Sequence, residues 1–63
     1  MKYKVTAIKF NFEDLTEEQE NDIINETINA DWWEVNTPEE LSMEITKVTG
    51  YTVNTVDFHL LPD

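Results

Sequence analysis

Gly50 is the only glycine in this chain of 63 residues, and Pro38 and Pro62 are the only prolines. These two residue types are the strongest punctuation a backbone has. A chain with so little of it makes few turns. It must lay out its residues as four long elements.

Residues 2–12 (KYKVTAIKFNF) alternate as a strand does. Tyr3, Val5 and Ala7 hold one phase, and Ile8, Phe10 and Phe12 hold the other. Residues 16–33 read as a helix. Thr16 with Gln19 forms a capping box, and acids crowd the first turn, where the helix dipole favours them. At ~100° per residue, Ile23, Ile24, Thr27 and Ile28 fall on one arc. A second helix spans 38–49. Thr37 is its N-cap, Pro38 takes the first helical position, and Glu40 completes a second capping box. Leu41, Ile45 and Val48 form its apolar stripe, Lys47 suits its last turn, and Gly50 ends it. Residues 51–61 (YTVNTVDFHLL) are a second strand, whose phase switches near Asn54 and Thr55.

The order β-α-α-β predicts one α+β domain over 1–63. Two antiparallel strands would form one layer, and a helical hairpin would pack on one face as the other. A two-stranded sheet is marginal alone. Apolar residues in both phases imply that both faces want cover, which predicts a homodimer with a continuous sheet. The alternative is a pair of bulges that turn every apolar residue to one face.

Size sharpens the question of support. A chain this short buries only about 60% of the surface exposed when unfolded. It has no cysteine, and His59 is its only histidine, so neither a disulfide nor the usual structural zinc is expected. Oligomerisation is the remaining common support.

The charge balance restricts partners. Fourteen acids face four lysines, for a formal net charge of −10. Direct nucleic-acid binding needs basic residues against phosphate, and an anionic membrane repels the chain for the same reason. A basic protein surface is the complementary partner. The start of the chain lacks the apolar core of a signal peptide, and no apolar run reaches transmembrane length. A cytoplasmic protein is expected. The sequon Asn25-Glu26-Thr27 lies mid-helix and is read as chance.

Between Phe10 and Thr46 there is no Lys or Arg. Asp14, Glu18, Asp22 and Glu26 recur every fourth residue there, which on a helix sets carboxylates ~6 Å apart in a line. Like charges so placed weaken a helix slightly. They form either a negative ridge, which imitates a phosphate backbone or docks on a basic patch unrelated to nucleic acid, or a solvated face. In Trp32-Trp33, neighbouring indoles point ~100° apart on a helix. An extended helix puts Trp33 on the acidic side as a partner anchor. A helix ending near Asp31 folds both indoles over the core. Met43, opposite the stripe of the second helix, is a further candidate contact.

No catalytic set emerges. A histidine needs a nucleophile or acid within reach, and nothing places Ser42, the only serine, near His59. One glycine cannot make a phosphate loop, and Ile23-Ile24 after Asp22 breaks a calcium-loop spacing. The expectation is a non-enzyme without cofactor or metal. The first reading is an acidic interaction module, a regulator or inhibitor whose partner-binding residues are Asp14, Glu18, Asp22, Glu26, Trp33 and Met43. The second is an assembly subunit of a homo-oligomer, with its acids serving solubility alone.

Overall fold

The computed structural model describes residues 1–62. In chain order its elements are β1 (Lys2–Phe10), α1 (Glu17–Asn29), β2 (Trp33–Glu34), α2 (Pro38–Thr49) and β3 (Val53–Leu60). The strands make one antiparallel sheet in the order β2-β1-β3. The helices form a second layer, with α1 against β1 and α2 against β3. This is the two-layer α+β fold that the sequence predicts, with one short strand added.

The phase flips resolve as bulges. Val5 lies opposite Phe58 and Ala7 opposite Asp57, so Thr6 is an extra residue on β1. Further along, Lys9 pairs with Thr55 and Phe10 with Val53, so Asn54 is extra on β3. Each extra residue shifts the alternation by one. Tyr3, Val5, Ile8 and Phe10 are therefore all buried on the helical side, joined by half-buried Val53, Val56 and Phe58. The opposite face carries Lys4 beside His59, Ala7 beside Asp57 and Lys9 beside Thr55, and all of these but Lys4 are exposed. Apart from the small Ala7, the apolar residues of the β1–β3 ladder thus serve one face. The two-faced argument for a homodimer falls away.

Leu41 and Ile45 of α2 are wholly buried and complete the core with Tyr3, Val5, Ile8 and Phe10. Val48, the third residue of the expected stripe, is 63% exposed instead. On α1 the expected arc does face inward. Thr27 is buried, with its hydroxyl donating to Ile23 O, and Ile23, Ile24 and Ile28 are half-buried. Aromatic contacts fasten the sheet ends. Tyr3 meets Phe58 edge to face, and Phe12 packs on both Phe10 and Tyr51. Among the described residues, no helix is long and apolar enough to cross a membrane.

The helix starts follow their local signals. The Thr16 and Gln19 capping box is fully formed. Thr37 accepts from Glu40 N, but the Glu40 carboxylate reaches past it to Asn36 N, so the second box is displaced by one residue. Gly50 closes α2 in the left-handed conformation at φ 81°, with its N–H on Thr46 O. A Cβ at Gly50 meets nothing within 4 Å, so only backbone strain opposes a side chain there. Gly50→Ala should cost about 1 kcal/mol, read as a lower urea midpoint with unchanged slope.

The end of α1 departs from expectation. The helix stops at Asn29, and Ala30 leaves it at ψ 136°. No basic residue lies in its own last turn. Instead Lys4 reaches from β1 and donates to Ile28 O and Ala30 O, both at 2.7 Å. The chain then turns back as β2, setting Trp33 opposite Tyr3 and Glu34 opposite Lys2, while Val35 N donates to Met1 O.

Candidate interaction site

α1 and α2 rest on different strands, and a groove of about 380 Å³ runs between them. Ile23, Glu26 and Thr27 of α1 line one side, Val48 and Thr49 of α2 the other, and Trp33 the end. Its lining is mostly apolar. The capped end of α1 shapes it, because the turn after Asn29 brings Trp33 back beneath the helix. The indole N–H donates to Thr27 O at 3.3 Å, which holds the ring in place.

Glu18, Asp22 and Glu26 are all exposed along α1. They occupy one ridge, and Glu26 also forms the lip of the groove. Asp14 does not belong to this line. It precedes α1, with a left-handed backbone at φ 58°, and lines a separate shallow hollow with Glu13, Gly50 and Tyr51. The four-residue spacing has no helix beneath it at Asp14, because α1 begins at Glu17.

Trp33 is not an exposed helical anchor. It sits on a strand, half-buried, and shares the groove with Glu26. Trp32 is the exposed indole, at 48%, and Lys2 Nζ lies 4.6 Å from its ring centroid, a cation–π contact. The alternative in which the helix ends early thus describes Trp33 but not Trp32. Met43 is 70% exposed as its phase requires. It stands apart from the groove, beside Val35, Glu40, Glu44 and Lys47.

Val48 is the residue that the apolar spacing places in the core and the fold leaves exposed, whereas Ile23 packs on the core and also lines the groove.

The charge is divided between the layers. β1 carries Lys2, Lys4 and Lys9 and no acid, while α1 alone carries Glu17, Glu18, Glu20, Asp22 and Glu26. His59 is exposed on the open sheet face, and Ser42 belongs to α2 in the other layer. Among the described residues, no group of three His, Asp or Glu is placed to hold a metal ion. Comparison with protein-family models, curated proteins and solved structures found no match for this chain.

Proposed function

We propose that this domain is an acidic protein-interaction module that takes a basic amphipathic segment of a partner protein into the groove between α1 and α2. The observation that carries this reading is the meeting of the carboxylate ridge and the apolar groove at Glu26. Glu18, Asp22 and Glu26 attract Lys or Arg on the partner, and Ile23, Trp33 and Val48 receive its apolar face, as a helix-in-groove complex requires. Of the β1 lysines, Lys2 lies over Trp32 and Lys9 is exposed on the open sheet face, while Lys4 is tied to the carbonyls of Ile28 and the groove-lining Ala30. Electrostatic steering makes association fast and salt-sensitive.

The test uses Trp33 fluorescence in a Trp32→Phe background, titrated with a helical peptide bearing Leu at i, i+3, i+4 and i+7 and Lys elsewhere. Binding should weaken at least tenfold from low to ~0.5 M salt. Val48→Asp or Glu26→Lys should each weaken it about tenfold, the size of one lost buried contact or one reversed charge pair. A peptide with Glu in place of Lys should not bind. Equal binding of both peptides, or indifference to Val48→Asp, would overturn the reading.

A further inference from the structure

Among the described residues, β3 is an edge strand with β1 as its only neighbour. Its unbulged stretch from Thr55 to Leu60 contains no lysine or proline, the usual guards of an open edge. Leu61 N donates to Lys2 O, and Lys4 lies opposite His59. By alternation, the backbone groups of Thr55, Asp57 and His59 turn toward β1, and those of Val56, Phe58 and Leu60 turn outward, where the sheet ends. On the helical face of this edge, Leu60 is 52% exposed, and Val56 and Phe58 are only half-buried. On the outer face, Asp57 and His59 are exposed.

We infer that β3 pairs antiparallel with β3 of a second copy about a two-fold axis through Phe58, making a six-stranded sheet. Charge selects this register. Centred on Phe58, Asp57 lies opposite His59 of the second copy, twice over by symmetry, and the imidazole donates to the carboxylate in either protonation state. Centred one residue earlier, Asp57 faces Asp57. Centred one residue later, His59 faces His59, and Val56 meets Pro62, which has no N–H to give. The Phe58 register also sets Val56 against the exposed Leu60 of the second copy and Phe58 against its own counterpart. Every outward N–H and C=O from Val56 to Leu60 then finds a partner.

Location favours the same answer. A chain of net charge −10 meets a second copy at least cost away from its helices. β1 and β3 together hold three lysines, one histidine and a single acid, Asp57. The pairing leaves the groove between the helices free, so it stands independently of the function proposed above.

The test is sedimentation equilibrium of the full chain with and without charge exchange. The native chain should dimerise in a concentration-dependent way. His59→Asp, which sets carboxylate against carboxylate, should weaken the dimer about tenfold while leaving the circular dichroism spectrum unchanged. The double variant Asp57→Lys/His59→Asp restores opposite partners and should recover the dimer. Amide exchange on the native chain should show Val56, Phe58 and Leu60 gaining protection as concentration rises. A native chain that stays monomeric at about 1 mM overturns the inference. So does a dimer in which those three amides exchange as freely as in the monomer, or one that the charge exchange leaves unmoved.

Discussion

Ile45→Ala is expected to leave much of the chain unfolded at body temperature. Ile45 is 0% exposed and packs within the single core shared with Val5, Ile8 and Leu41. Removing its outer carbons leaves a cavity at the centre of the domain, at a cost of about 2–5 kcal/mol. A chain of 63 residues has a total stability of only about 3–9 kcal/mol at the usual 0.05–0.15 per residue. The loss is thus a large share of the whole. Val48→Ala is the control, being one turn along the same helix but 63% exposed, and should change stability by less than about 0.5 kcal/mol. Urea unfolding of the two variants reads the contrast directly. Equal losses would mean that α2 is seated differently on the sheet.

Lys4→Met should be the second most damaging single change. Lys4 is half-buried, and its ammonium donates to two carbonyls at the end of α1. Methionine keeps the length of the stem and removes both bonds and the charge. Charge-assisted hydrogen bonds are worth about 1.5–3 kcal/mol, and the cation also offsets the negative end of the helix dipole. In a domain of this size a loss of about 2 kcal/mol lowers Tm by roughly 8–16 °C. Lys9→Met, on the same sheet face but exposed, should shift Tm by no more than a degree or two. Similar melting of the two variants would show that Lys4 does not hold the helix end. Replacement of Lys4 by arginine should recover part of the loss, since the charge and donors remain.

What could be read from the sequence was what is written locally. Thr16 with Gln19, Thr37 with Pro38, and Gly50 each announce a helix end within four residues, and all three stand where expected. The alternation in the two long strands was equally plain. The phase flips were visible, but their meaning was not, because a bulge and a strand covered on both faces leave the same pattern. Only the pairing of β1 with β3 shows that Thr6 and Asn54 are the extra residues. β2 escaped because two residues contain no period. The end of α1 escaped because its cap is a lysine 24 residues from the nearer carbonyl it binds. On the functional side, the ridge of Glu18, Asp22 and Glu26 was legible as spacing, whereas the groove beside it is a product of packing. Asp14 carried the right spacing without the helix to make it count.

The pairing of β1 with β3 also governs how this molecule comes into being. Every rung of that ladder joins the first strand to the last, from Phe10 with Val53 to Tyr3 with Leu60. Both helices are enclosed within the loop it closes. A growing chain cannot zip such a ladder until β3 has left the ribosome. Until then α1 lacks the lysine contact at its end in a settled position and α2 lacks its floor. Closure over so long a loop makes folding slow for a protein of this size. It also makes folding an event shared by all parts at once, with no half of the chain able to stand as a finished piece.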